Sequence, residues 1–244
     1  DVLAIYQQLR QAGYTDDRII LIVEDDIADN VSNPNKGVIQ VTIGGNNVYE
    51  NVEIDYRMSS LKAKDILAIL NGEKSETLPT VIESTENDNL FVFWSGHGVP
   101  GAMCWDEEPY AMTGDDLSTV FKDMNLKRRY RKLLMMVEAC FSGGVMEQCE
   151  GIPGMLFITA ANGDETSKAD VFNGEMKVWM SNRFTSTFIE QITDNKDVAM
   201  RDLYYRLFIN TVGSHVMVYN AENYGNLYSV NMSEFINFKN DKSK

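Results

Sequence analysis

The sequence predicts an open, mainly parallel α/β sheet, three layers thick, with helices on both faces. Three observations carry this reading. Apolar runs of strand length, LFVFWS, KLLMMVE and GMLFIT, each end in a polar, Gly-bearing turn; the runs are continuous rather than alternating; and helical periodicity lies between and after them. With 244 residues, 44% of them hydrophobic, the chain suffices for one large α/β domain spanning 1–244. Its 17 Gly and 5 Pro are too few for a disordered or collagenous chain. A net charge of −14 would repel a nucleic-acid backbone or an anionic membrane face, which excludes both as partners, and no apolar run reaches the roughly 18 to 20 residues of a membrane span.

Taken in order, Val2, Ile5, Tyr6 and Leu9 recur at helical spacing, with Gly13 following as a helix end. The opening residues, DVLAIYQQLRQAG, read as an amphipathic helix and not as a signal peptide. RIILIVED (18–25) is a β-branched run that predicts a buried strand. From Asp26 to Met58 Asn, Gly, Pro and Asp dominate; GVIQVTIGGNNVYENV suggests a hairpin within an insertion too long for a simple connection. Helical periodicity resumes from Ser60 to Gly72. LFVFWSGHG is the second strand, GAMCWDEEPYAMT a short hairpin, and GDDLSTVFKDMN a helix with Asp115 and Asp116 in its first turn, where the helix dipole favours them. KLLMMVEACFSGG and GMLFITAANGDETS repeat the design of a strand running into a polar turn. NRFTSTFIEQI and DVAMRDLYYRLFINTV read as helices; SHVMVYN and NLYSVNMSEF read as edge strands.

Ligands of such sheets bind beyond the carboxyl ends of the strands, so the polar residues that terminate the buried runs are the candidates. These are His97, Glu138, Cys140 and the turn from Ala161 to Ser167. One crossover helix separates His97 from Cys140, which suits neighbouring parallel strands and would bring the two side by side. A thiol needs a base to become a nucleophile, and the flanking glycines let substrate backbone approach and free amide N–H groups for an oxyanion. The pattern therefore reads as a Cys/His hydrolase. The alternative for Cys140 is an inert buried thiol. Only one other histidine exists, His215, whose setting in SHVMVY suits a structural or pocket-wall role; Cys104 and Cys149 read as packing or surface residues. Three cysteines without a CxxC spacing indicate neither a disulfide framework nor a thiolate zinc site. No metal and no cofactor is indicated: the histidines are distant, and DDIAD (25–29) lacks the spacing of a calcium loop.

In collinear order, DDIADNVSNPNKGVIQV, NVYENVEIDY, FWSGHG, VEACFSGG, FITAANGDETS and SHVMVYN resemble the legumain-type asparaginyl endopeptidases, with the catalytic subunit of GPI transamidase a more distant relative. The likeness covers nearly the whole chain. It implies a caspase-like fold and a thiol peptidase in which Cys140 attacks the scissile carbonyl, His97 manages protons, and the amides of Gly98 and Cys140 hold the oxyanion. It also implies that Glu138 sits in the primary specificity pocket with Ser167 on its wall, facing an Asn side chain that presents both a donor and an acceptor. For Glu138 the alternative is a carboxylate that caps local backbone.

Two departures qualify the likeness. The family carries a first strand ahead of the opening helix, with an Asn that orients the His and an Arg in the pocket. The sequence begins after them, so the domain is expected to lack that strand and to draw on its own amino-terminal segment, kept as a separate processed chain. Asn182, in SNRFTST, stands where the family usually has an acidic pocket residue. The carboxy-terminal prodomain or membrane helix that the resemblance would bring with it is not expected in this domain. The leading expectation is a peptidase cleaving peptide or protein substrates after Asn, and in some contexts Asp, in a secreted, periplasmic or lysosome-like compartment. The alternatives are a transpeptidase or ligase using the same acyl-enzyme, and an inactive binding module.

Overall fold

The computed structural model describes residues 1–104 and 111–238. Helix α1 (Val2–Gln11) is followed by two short strands, β1 (Ile22–Val23) and β2 (Tyr56–Arg57), paired in parallel, and by helix α2 (Ala63–Asn71). Next come strand β3 (Asn89–Ser95) and a small antiparallel sheet of β4 (Gly98–Val99), β5 (Ala102–Cys104) and β6 (Ala111–Thr113). The expected hairpin is thus present, although its tip, residues 105–110, lies outside the described residues. Helix α3 (Gly114–Leu126) crosses to β7 (Lys132–Glu138), and helix α4 (Ser142–Met146) leads to β8 (Met155–Thr159). A hairpin of β9 (Ala169–Asn173) and β10 (Val178–Asn182), helices α5 (Arg183–Asp194) and α6 (Met200–Asn210), strand β11 (Met217–Tyr219) and helix α7 (Ala221–Tyr224) complete it.

The central sheet has the order β11-β8-β7-β3, antiparallel at the β11 edge and parallel elsewhere. Alternation along β7 explains its continuous apolar run. Leu133, Met135 and Val137 face a core shared with α2 and α3, where Leu117, Phe121 and Met124 pack; Leu134 and Met136 face a second core with Phe184 and Phe188 of α5 and Leu203 and Leu207 of α6. The sheet is covered on both sides, as the sequence predicts. Methionines fill much of both cores, among them Met112, Met146 and Met155 on one side and Met200 and Met232 on the other. Helix α3 begins with a reciprocal cap: Asp116 N–H donates to the Thr113 hydroxyl (3.2 Å) and Thr113 N–H to the Asp116 carboxylate (3.0 Å).

Three segments differ from expectation. Only Ile22–Val23 of RIILIVED pairs; Asp16–Arg18 form a 3-10 turn, and the Leu21 N–H is taken by the Asp55 carboxylate at 2.9 Å. GVIQVTIGGNNVYENV forms turns instead of a hairpin, because the Asn47 side chain takes the N–H groups of Ile39 and Tyr49 and donates to the Gly37 carbonyl, displacing any ladder. NLYSVNMSEF is not a strand. Val230, Met232, Phe235 and Ile236 bury themselves in the second core through a 3-10 turn, with only an Ala199–Asn231 bridge. SHVMVYN does supply the edge strand β11, whereas the β9–β10 hairpin had no counterpart in the sequence reading.

Among the described strands β3 pairs only with β7, and all its residues are half-buried where those of β7 from Leu133 onward are fully buried. Between β3 and β1 lies a cavity of about 900 Å³, lined by residues that include Ile5, Leu9, Ile20, Ile22, Leu90 and Val92.

Phe157 is fully buried with its ring 5.6 Å from that of Phe121. Phe157→Ala is expected to cost about 3–5 kcal/mol in urea unfolding, against less than about 0.5 kcal/mol for Val212→Ala at an exposed position.

Candidate active site

The β3–β7 register runs from Asn89 opposite Lys132 to Ser95 opposite Glu138. His97 and Cys140 each lie two residues beyond that last pair, so the two strands release them at the same level of the sheet's carboxyl edge. Gly96 N–H donates to the Glu138 carbonyl (3.0 Å), extending the ladder by one bond. A Cβ on Gly98 would stand 2.1 Å from the Cys140 carbonyl oxygen, so only glycine permits this approach.

Cys104 N–H donates to the His97 carbonyl (2.9 Å), which makes Gly98 and Met103 the non-hydrogen-bonded pair of the β4–β5 ladder. The Gly98 N–H therefore faces away from β5. Among the described residues neither this N–H nor that of Cys140 has a hydrogen-bond acceptor. His97 is exposed, and its ring makes no hydrogen bond among the described residues. Cys140 is half-exposed, with Sγ 3.9 Å from Ser167 Oγ. Thiol and imidazole are thus adjacent in topology and not bonded to each other, a common arrangement before substrate closes the geometry.

The turn that carries Cys140 is held from outside. Phe141 has φ +55°, a left-handed conformation that costs a non-glycine residue on the order of 1 kcal/mol. Its N–H donates to the Glu165 carbonyl (2.8 Å), and Gly143 N–H donates to the Ala161 carbonyl (3.1 Å). A Cβ at Gly143 would lie 2.4 Å from the Tyr219 hydroxyl, so α4 starts tight against the sheet. The same loop supplies Ser167.

Glu138 is buried, 1% exposed, and its Oε2 accepts from Thr185 N–H (3.1 Å) and the Thr185 hydroxyl (3.2 Å) at the first turn of α5. It caps that helix, while among the described residues its Oε1 takes no well-formed hydrogen bond. Burial pushes its carboxyl from an ordinary 4.5 up to about 7, against the pull of Thr185 and the nearby Ser167 hydroxyl. Asn182 precedes α5, and its amide is committed to the Asp1 carboxylate, which also accepts from Asn182 N–H (3.2 Å) and the Ser95 hydroxyl (2.7 Å). Asp1 and Thr185 were not singled out from sequence, and Glu165 only as part of the turn from Ala161 to Ser167, since an acid or hydroxyl at a helix start or turn reads as an ordinary cap. His215 is exposed, with Nδ1 2.9 Å from Glu165 Oε2. Cys149 is enclosed between α3 and α4, and burial pushes its thiol up to about 12. Among the described residues no group of three or more His, Cys, Asp or Glu is placed to hold a metal ion.

Glu138 holds its proton more tightly in the folded chain than in the unfolded one. Its favourable contribution to stability is complete below about pH 4.5 and is lost as pH rises through about 7. Urea unfolding between these pH values is expected to show the wild type losing up to about 3 kcal/mol relative to Glu138→Gln. Equal slopes would mean that the carboxyl titrates normally.

The profile of the Peptidase C13 family matches residues 1–235. Legumain from Rattus norvegicus is 29% identical over 226 residues, covering 90% of this chain and 51% of the rat protein. A vacuolar-processing enzyme from Vicia sativa is 36% identical over 173 residues, covering 68% of this chain and 34% of its own length. The chain thus spans about half, or less, of the curated relatives it matches. Caspase-1 from Spodoptera frugiperda is similar in structure, with a TM-score of 0.49 and 12% identity, covering 82% of this chain and 84% of that one. No described helix is long and apolar enough to cross a membrane. With the family profile matched over 1–235, the chain belongs to the Peptidase C13 family.

Proposed function

We propose that the protein is a cysteine endopeptidase that cleaves peptide bonds after Asn. The observation that carries this is the presentation of a half-exposed Cys140 beside His97–Gly98, with two amide N–H groups, those of Gly98 and Cys140, that have no acceptor among the described residues at the same strand ends. In this reading His97 takes the thiol proton, Cys140 Sγ bonds to the scissile carbonyl carbon, and the two amides hold the oxyanion. The tetrahedral adduct collapses as His97 gives its proton to the departing amine. Water, deprotonated by His97, then releases the acid and returns the thiol. The name vacuolar-processing enzyme, borne by a relative, supports a peptidase acting in a vacuole-like compartment, and the acid-favoured burial of Glu138 agrees with that setting.

Preference for Asn is supported by Glu138 and Ser167. Glu138 Oε1, buried and without a well-formed bond, is the acceptor left for a substrate carboxamide, and Ser167 lies beside the nucleophile. Asn182, tied to Asp1, acts in this reading as the wall that fixes the pocket and not as a direct contact. The cavity between β3 and β1 supports one further element: an extended apolar segment of the enzyme's own chain, retained as a separate piece, would pair with the open edge of β3 and cover Leu90 and Val92.

Cys140→Ala is expected to abolish hydrolysis of fluorogenic peptides with an unchanged urea midpoint, and His97→Ala to lower kcat/KM about 10²- to 10⁴-fold. A Cys140→Ala protein that still turns over would refute the mechanism. In a panel varying only the residue before the cleaved bond, Asn should exceed Ala and Leu by about ten- to a hundredfold. Cleavage after Asp should grow as pH falls below 7 and Glu138 takes up its proton. Glu138→Gln should flatten that pH dependence.

A further inference from the structure

We propose that Glu165 and His215 are positioning residues for Cys140, acting through the backbone of the turn that presents the thiol. Such a role presupposes the cysteine-peptidase reading, because attack by Cys140 is the step being positioned.

The main-chain carbonyl of Glu165 receives the N–H of Phe141, the left-handed residue that immediately follows the nucleophile. Any shift of Glu165 therefore moves the peptide attached to Cys140. Its neighbour Ser167 lies against Sγ, so the loop from Ala161 to Ser167 touches the nucleophile at its backbone and its side chain together. What fixes this loop is the Glu165 carboxylate. Oε1 accepts from Asn162 N–H (3.2 Å) and His215 N–H (2.7 Å), and Oε2 faces His215 Nδ1 at 2.9 Å. His215 is a firm anchor in turn: Ser214 Oγ donates to the Ala160 carbonyl (2.7 Å), and β11 begins two residues later, paired with β8. One side chain thus ties the nucleophile's turn to the edge strand of the central sheet. Burial works to raise the Glu165 carboxyl, but the bonds from His215 and Asn162 outweigh it and hold the group below its ordinary value, so it stays an ionised acceptor.

The arrangement separates chemistry from position. His215 is exposed and its ring is engaged by Glu165, so its part is to hold a loop and not to move substrate protons. Removing the carboxylate leaves Phe141 to relax toward ordinary backbone angles and carries Sγ off its line of attack. A displacement of about 1 Å at a reacting atom is enough to lower a rate about a hundredfold.

The test uses Glu165→Ala, Glu165→Gln and His215→Ala, each checked for its urea midpoint. Two readouts are taken: kcat and KM on an Asn peptide, and the second-order rate of Cys140 alkylation by iodoacetamide, followed by peptide mass. Glu165→Ala should lower kcat about ten- to a hundredfold with KM changed less than about twofold, and should slow alkylation in parallel. Glu165→Gln keeps an acceptor for both main-chain N–H groups and should recover to within about threefold of wild type. His215→Ala should fall between them. If kcat and alkylation of the folded variants all stay within about twofold of wild type, the positioning role is overturned. A purely structural role would lower the urea midpoint without the Ala-to-Gln recovery in kcat, and that too would overturn it. If Glu165→Ala does not fold, the His215→Ala alkylation rate decides. A wild type that cleaves no peptide would refute the peptidase reading alone, because the alkylation ratios still report whether the pair places the thiol.

Discussion

Parallel pairing of β3 with β7, with Ser95 set opposite Glu138, is the constraint on which the rest of the site depends. Seven consecutive residue pairs fix two chain exits side by side, and a slip of one residue would put His97 and Cys140 at different heights and turn every side chain of β7 to the wrong core. The burial of β7 makes such a slip prohibitive, since Leu133 to Val137 are embedded between two layers of helices. Precision at the surface is thus inherited from packing in the interior. The close seat of Gly98 against Cys140 then brings the second strand end onto the first without any side chain between them.

Glu138 couples that sheet to the helix layer. A carboxyl at the last position of a buried strand is costly, and the chain offsets the cost with the amide and hydroxyl of Thr185 at the start of α5. The result is a joint between β7, which leads into Cys140, and the start of α5. Burial favours the protonated carboxyl while the Thr185 bonds favour the ionised one, so protonation trades part of the joint's hydrogen bonding for a lower cost of burial. Asp1 does similar work nearby, joining Ser95 at the end of β3 to Asn182 at the mouth of α5.

The strands of the centre were legible because burial on both faces leaves a continuous apolar run that few other structures tolerate, and His97 and Cys140 were legible because each ends such a run beside glycine. Segments whose structure is decided by side chains competing with the backbone were not. Asn47 dissolved the hairpin expected at GVIQVTIGGNNVYENV, and the Asp55 carboxylate claimed the Leu21 N–H within RIILIVED. NLYSVNMSEF alternates like a strand but meets a helical core that accepts Val230 and Met232 from a turn. The β9–β10 hairpin, partly exposed and with Trp179 and Phe172 in contact, carries no buried stripe for a sequence reading to find. Within the site, Thr185 escaped notice and Glu165 was seen only as part of its turn, because the partners of the one, the Glu138 carboxylate, and of the other, Phe141 and His215, are distant in sequence, which no local spacing reveals.

The methionine-filled cores have a consequence for durability in an oxidising setting. Nine of the thirteen methionines are buried to 1% exposure or less. Thioethers adapt their shape to irregular gaps, but one added oxygen turns them polar and incompatible with such packing. Peroxide reaches these sulfurs only when the sheet parts from its helices, so sulfoxide accumulates at the rate at which the protein opens and each oxidised molecule is prevented from closing again. The core that holds the register therefore also acts as an irreversible counter of its own unfolding.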